Sequence, residues 1–256
     1  MLSSVRTAAQ RLRDLNNHHP DFIPDTAVLL VCAGNATRMR GIHKILHPLG
    51  DAPVLEHSLR TFCNCESVTE LVVVCRKQDF DEFSDIISRL SLTRPITLVE
   101  GGETRQQSVQ NGFSALSPQV QYVAVHDGAR PLVRKSDVEQ VIADARIFGA
   151  ATLGVPAKDT IKVVHDGFIT DTPDRATLFL TQTPQVFRRS LYEQASEYAR
   201  TLGQDFTDDC QLIEALGVQV KMTIGSYSNI KLTTPEDFAI AEALLNSIRN
   251  HPTEVF

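Results

Sequence analysis

Ala27-Val28-Leu29-Leu30-Val31-Cys32-Ala33 runs directly into Gly34-Asn35-Ala36-Thr37-Arg38-Met39, an apolar segment that turns at a glycine into a polar loop carrying an arginine. A short apolar run bounded by a turn signal marks a strand buried on both faces, as when helices cover a parallel sheet. Val28–Cys32 is therefore read as the first strand. Pro53 then suits the first turn of a helix whose Val54, Leu55, Leu59 and Phe62 share one stripe. Leu71–Cys75 follows as a strand, Ile96–Val99 precedes a helix near Thr104–Leu116, Tyr122–Val125 precedes one near Ser136–Phe148, and Ala151–Val155 comes next. This alternation predicts an α/β fold: a doubly wound, mostly parallel, Rossmann-like sheet.

The alternation breaks after Pro156. Ile161–Val164 and Phe168–Thr170 flank Asp166-Gly167, a tight-turn pair that tolerates positive φ, so a β-hairpin arm spanning 157–176 is expected to project from the sheet. Beyond it Val186–Tyr198 reads as a helix, Val218–Ile224 and Ile230–Leu232 as strands, and Thr234-Pro235-Glu236-Asp237 as the start of a last helix. Residues 25–256 are expected to form a single domain, with 1–24 an N-terminal extension.

Composition removes several classes of function. With 42% hydrophobic and 22% charged residues in 256, and no fixed repeat, the chain is neither disordered nor a solenoid. No apolar run approaches the roughly 20 residues of a membrane-crossing helix. Five cysteines are odd in number and lack the spacing of a redox pair or a zinc site, which suits a reducing cytoplasm. The first 22 residues are arginine-bearing like an organellar presequence but include Asp14 and Asp21; an extension is the favoured reading, and a presequence would imply a plastid or other organelle. A net charge of −6 disfavours nucleic acid held by bulk electrostatics.

Ligands of open α/β sheets bind beyond the carboxyl ends of strands, so the loops after Cys32, Val99, Val125 and Leu153 are where chemistry is sought. From Asn35 to Pro48 the chain carries Arg38, Arg40 and Lys44 with His43 and His47 and no carboxylate. That is either a solvated basic loop or a seat for a small polyanion. The Gly34 turn lacks the further glycines of a dinucleotide fingerprint and the Gly-Lys-Ser/Thr of a P-loop. Backbone N–H groups at Gly34 with Arg38 and Lys44 suit a triphosphate. His126-Asp127-Gly128-Ala129-Arg130-Pro131 follows the fourth strand, where Asp127 could hold Mg²⁺ against phosphate oxygens or simply pair with Arg130. His126 reads as a structural, hydrogen-bonded residue, and Asp79, Asp81, Glu82 and Asp85 as a solvated helix start.

An ordered series of blocks, AGNATRM, HKILHPLGDAPVLEHSL, GGETRQQSVQNG, VHDGARP, VPAKDTIKVV, TPDR, QTPQVF, TDDCQLIEALG and NIKLTTPEDFAIAEALL, resembles the 2-C-methyl-D-erythritol 4-phosphate cytidylyltransferase family of the non-mevalonate isoprenoid pathway from about Asp25 to Leu245. The resemblance implies CMP transfer from CTP to methylerythritol phosphate, with Mg²⁺ and a homodimer. It implies catalytic roles for Arg38, Lys44, Arg175 and Lys231. Cytosine would be read by Ala33, Gly102 and Glu103 with Gly34 and Ser108 nearby. Asp127 would sit by the metal and the methylerythritol hydroxyls, with Arg130, Thr207 and Asp208 close. Thr160 and Arg175, at the roots of the arm, would reach into a partner's site.

The chain departs from the family pattern at Ala36, usually glycine, and at His43, usually proline, and it is one residue shorter between Met39 and Lys44. Gly128 stands where alanine is common, and Phe179 near a frequent tryptophan. The alternatives are ribitol-5-phosphate cytidylyltransferases, in which the Asp127–Pro131 block tends to read D-A-V-R-P, and a non-catalytic CTP-binding protein.

Overall fold

The computed structural model describes residues 24–34, 43–203 and 206–250; the expectations for the N-terminal extension and for Arg38 lie outside the described residues. The chain runs through β1 (Thr26–Val31), a two-stranded ladder β2 (Pro48–Leu49) and β3 (Ala52–Pro53), α1 (Val54–Cys63), β4 (Val68–Cys75), α2 (Phe80–Arg89), β5 (Ile96–Glu100), α3 (Arg105–Ser114), β6 (Tyr122–Asp127), α4 (Lys135–Phe148) and β7 (Ala150–Pro156). It continues with β8 (Val163–His165) and β9 (Phe168–Asp171), then β10 (Phe179–Arg188), α5 (Arg189–Leu202), α6 (Asp209–Ala215), β11 (Lys221–Ile224) and α7 (Pro235–Asn250). Among the described residues, seven strands form one sheet in the order β11-β7-β10-β6-β1-β4-β5. β1, β4, β5 and β6 are parallel, as are β7 and β11; β10 runs antiparallel between β6 and β7.

Period-two alternation sends β1 to both faces. Val28 and Leu30 join one apolar cluster with Val54, Leu55, Leu59 and Phe62 of α1, Phe83 of α2 and Val138 of α4. Ala27 and Leu29 join a second with Val109 of α3, Tyr192 of α5 and Ile213 of α6. Each large side chain so buried contributes about 1.5–3 kcal/mol of transfer free energy. The register is what assembles the site: Val31 pairs with both Val74 and Asp127, and Cys75 with Glu100, so the carboxyl ends of four strands finish together.

The arm forms as its turn chemistry requires. Asp166 and Gly167 adopt φ of 50° and 83°, matching the right-handed twist of the paired β8 and β9. Gly149 ends α4 at φ 88°, a left-handed cap that a residue with a Cβ would resist.

Four local expectations are corrected. Val186, Phe187 and Arg188 close β10 rather than open a helix, which starts at Arg189; hydrogen bonding to β6 and β7 outweighs the helical spacing. Ile230–Leu232 is a loop, tied by the Leu232 N–H to the Ala129 carbonyl. The last strand is shorter than Val218–Ile224, beginning at Lys221. Asp79 is 5% exposed and held by Arg76 and His43, not solvated.

Candidate active site

The loops leaving β1, β4, β5 and β6 enclose a cavity of about 550 Å³. The turn after β1 supplies Cys32, Ala33 and Gly34, the turn after β5 supplies Gly101, Gly102, Glu103 and Thr104, the start of α3 supplies Arg105 and Ser108, and β6 supplies Asp127. Gly101 has a steric reason: a Cβ there would lie 2.4 Å from Ala33 Cβ, so glycine lets the two loops close into one wall. Ser108 fixes the second loop, its Oγ accepting the Gly102 N–H at 3.0 Å and donating to the Thr104 carbonyl at 2.9 Å. Thr104 caps α3 by accepting the Gln107 N–H, while the Glu103 N–H donates to Gln107 Oε1.

Lys44, Arg76, Lys77, Arg105 and Lys231 line the cavity against Glu100, Glu103 and Asp127, an excess of positive charge in a chain that is acidic overall. A concave site biased this way concentrates anions. Cys32 also reaches the wall, but burial pushes its thiol well up, away from a nucleophilic thiolate.

Asp127 is the hub. Its carboxylate lies 2.8 Å from Lys231 Nζ, 3.6 Å from Arg130 Nε and 3.8 Å from Arg105 Nε. Burial alone would raise its pKa; Lys231, Arg105 and Arg130 outweigh that and hold it at about 2, so the group is ionised. Its backbone is fixed as well. The Asp127 N–H donates to Thr183 Oγ1 at 3.0 Å, and that hydroxyl bonds His126 Nδ1, also at 3.0 Å. His126 is fully buried, and burial pulls its pKa down to about 4, which keeps it a neutral structural residue. Thr183 lies where the pairing of β10 with β7 shifts register, an irregularity that brings its hydroxyl beneath the end of β6.

A second loop completes the hub. Asn229, fully buried, donates from Nδ2 to the Thr183 carbonyl and accepts at its own carbonyl from Arg130 Nη1, which anchors the segment presenting Lys231. Lys44 Nζ donates to the Leu232 carbonyl at 3.3 Å. Lys44, Lys231 and Asp127, distant in sequence, are thus joined through one hydrogen-bonded loop.

The structure brings together Ala33, Gly34, Lys44, Gly102, Glu103, Ser108, Asp127 and Lys231 on the cavity, with Arg130 directly behind Asp127. It does not bring Thr160 and Arg175 there: both are exposed on the arm, with Arg175 Nη1 donating to the Lys158 carbonyl. Thr207 is exposed, and Asp208 caps α6 by accepting the Gln211 N–H. The adjacent Asp209 makes the link to the site: it is 1% exposed, lies 2.7 Å from Arg105 Nη1 and accepts the Tyr192 hydroxyl at 2.7 Å.

Arg105 and Asp209 escaped the sequence reading. Arg105 was findable, because it follows the cap of a helix leaving a strand end, in a loop already under search; Asp209 had no local signal. Arg76 and Lys77 sit just ahead of the acidic run that begins at Asp79, and no local pattern marks them as cavity-lining.

Among the described residues no group of three or more His, Cys, Asp and Glu side chains gathers to hold a metal. A dication would instead share Asp127 with the oxygens of its ligand, the coordination typical of Mg²⁺ at phosphates.

Residues 26–247 match the family model described as 2-C-methyl-D-erythritol 4-phosphate cytidylyltransferase. The enzyme of that name from Caldanaerobacter subterraneus subsp. tengcongensis is 41% identical over 224 residues, 86% of this chain and 99% of the relative. The rice protein, whose name adds "chloroplastic", is 43% identical over 222 residues, 86% of this chain and 74% of its own. The crystal structure of the 4-diphosphocytidyl-2C-methyl-D-erythritol synthase from Anaerococcus prevotii superposes with a TM-score of 0.78 at 32% identity, covering 87% of this chain and 96% of that one. On fold, site and sequence together, the chain belongs to the 2-C-methyl-D-erythritol 4-phosphate cytidylyltransferase family.

Proposed function

We propose that the protein transfers CMP from CTP to 2-C-methyl-D-erythritol 4-phosphate. A phosphate oxygen of the acceptor attacks the α-phosphorus of CTP in line, the bond to the β-phosphate oxygen breaks, and pyrophosphate leaves with 4-diphosphocytidyl-2-C-methyl-D-erythritol as product. The observation that carries this reading is the joining of Lys44, Lys231 and Asp127 at one end of the sheet, in a member of this family.

Two polyanions must meet, so the work is positioning and charge neutralisation rather than covalent catalysis. Lys44, with Arg38 of the same loop, balances charge gathering at the α-phosphate. Lys231 leaves Asp127 for the acceptor's phosphate. Asp127, ionised and fixed by Thr183, would hold Mg²⁺ together with triphosphate oxygens, and the metal when bound neutralises phosphate charge. Ala33, Gly34, Gly102, Glu103 and Ser108 form the wall for the cytosine; for Glu103 the N–H must first leave Gln107 Oε1. Thr207 and Asp208 stay with the α6 terminus, and Asp209 orients Arg105.

The arm supports a homodimer. Phe168 and Ile169 are 76% and 63% exposed, apolar area that a second copy would cover, and Thr160 and Arg175 on the same arm would then enter the partner's cavity. Residues 25–256 are read as one domain with the arm at 157–176. All five cysteines are free and buried, which supports a reducing compartment, the cytoplasm in our reading; fractionation of the full chain decides between that and organellar import directed by residues 1–24.

The test is pyrophosphate release. It should require CTP, Mg²⁺ and methylerythritol phosphate together; faster turnover with ribitol 5-phosphate, or binding of CTP without turnover, would overturn the assignment. Excess EDTA should abolish turnover and leave the melting transition in place.

A further inference from the structure

One charged cluster beside the cavity has no part in the mechanism above. Asp79, on the short turn after β4, is 5% exposed, a position at which an unpartnered carboxylate would be costly. Its Oδ1 accepts from Arg76 Nη2 at 3.0 Å; its Oδ2 accepts from Arg76 Nε at 2.7 Å and lies 2.9 Å from His43 Nε2. Burial works to raise its pKa, but the hydrogen bonds and charges of Arg76 and His43 lower it overall. Arg76 lines the cavity. His43 directly precedes Lys44.

The imidazole is held on a second side by the fully buried Phe83, edge to face with ring centroids 6.4 Å apart. Its Nδ1 is buried and has no hydrogen-bond partner among the described residues, so the contact with Asp79 needs one N–H only. The His43 carbonyl in turn accepts the N–H groups of Leu46 and His47, both at 3.0 Å. Lys44 thus sits inside a turn whose first residue is pinned, through its side chain, to a carboxylate on another strand's exit loop.

We infer that His43 and Asp79 form a latch: the pair positions Lys44 for the triphosphate and, through the same carboxylate, fixes the Arg76 wall of the cavity. His43 and Asp79 are positioning residues and touch no substrate. The inference rests on the proposed reaction for its ligand, CTP, and deepens it by naming what preorganises the nucleotide side of the site. Preorganisation matters because a mobile cation must be ordered when the nucleotide binds.

The experiment measures CTP affinity by calorimetry and the KM of each substrate in five full-length variants. His43→Ala removes the latch. His43→Leu removes the hydrogen bond but keeps apolar contact with Phe83. His43→Gln supplies an amide N–H of similar reach. Asp79→Asn is made in the parent and in the His43→Ala background. His43→Ala and His43→Leu should each weaken CTP binding and raise its KM about tenfold, the value of one well-placed hydrogen bond. The KM for methylerythritol phosphate should not move, and His43→Gln should recover most of the loss. Asp79→Asn should cost less on top of His43→Ala than alone, the non-additivity expected of two residues in one contact.

Unchanged CTP affinity in His43→Leu, equal shifts in both KM values, or additive effects of the two sites would each overturn the latch. Side-chain exposure of His43 is 25% and its ring packs on Phe83, so each variant is checked for the parental melting transition before its affinity is compared. A parent that binds CTP but never releases pyrophosphate would sink the proposed reaction, while the calorimetric comparison would still decide the latch.

Discussion

A Cβ placed on Gly128 would lie 2.4 Å from Cys32 Sγ and 3.2 Å from the Val31 carbonyl oxygen. Cys32 therefore occupies, from the end of β1, the space that an alanine side chain would take at the end of β6. The two positions share one small volume behind Asp127. Gly128→Ala should destabilise the fold by about 1–3 kcal/mol through overpacking, and Cys32→Ala in the same chain should return most of it. Urea unfolding of the two single variants and the double variant reads this directly. A Gly128→Ala protein as stable as the parent would show that the thiol moves aside freely.

Lys44→Ala should lower kcat by a factor on the order of 10²–10³, as should Arg38→Ala, the range for losing one preorganised transition-state donor. For Lys44→Ala the melting behaviour should stay within about 0.5 kcal/mol of the parent, because its side chain is partly exposed and leaves the core untouched. Parental turnover in both would reduce the basic loop to a solvated surface.

Two adjacent residues should make stability fall in separate pH windows. His126, held at about 4 by burial, takes up a proton when the chain unfolds; the stability tied to its neutral form is complete above its ordinary value near 6.5 and drains as pH falls toward 4. Asp127, held at about 2 chiefly by Lys231 against burial, contributes above the ordinary carboxylate range and loses that contribution as pH falls toward 2. Each effect is on the order of 2–3 kcal/mol. Urea midpoints taken from pH 7.5 to 4.5 should decline less steeply in His126→Asn than in the parent, and those from pH 4.5 to 2.5 less steeply in Asp127→Asn. Parallel curves would mean that neither group titrates as its surroundings dictate.

Mixing should locate the arm. Lys44→Ala and Arg175→Ala homodimers should both be nearly inactive. If Arg175 serves the partner's site, random reassociation leaves one intact site per heterodimer and recovers about a quarter of parental turnover. A mixture as inactive as its components, after subunit exchange is verified, would return Arg175 to its own subunit.

The alternation of short apolar runs with amphipathic stretches determined the α/β layering, because hydrophobic periodicity is local and each face must be buried wherever the element ends up. Asp166-Gly167 likewise specified the arm's turn through two residues' own φ preferences. Residues at strand ends, Ala33, Gly34, Gly102 and Asp127, were legible because parallel topology alone places them at one edge. The run of cations without a carboxylate after the first strand singled out Lys44, whereas resemblance to a family singled out Lys231. What only the tertiary structure decided are relationships between distant positions. Val186–Arg188 are strand and not helix because β6 and β7 offer the end of β10 a ladder on both sides. Asp79 is a buried anchor and not a solvated charge because His43, 36 residues earlier, meets it. Arg105 joins Asp127 to Asp209, and Gly128 yields to Cys32, through contacts that no local pattern encodes. Charge pairing and steric exclusion act across space, and their partners are set only when the register of the sheet brings the strand ends together.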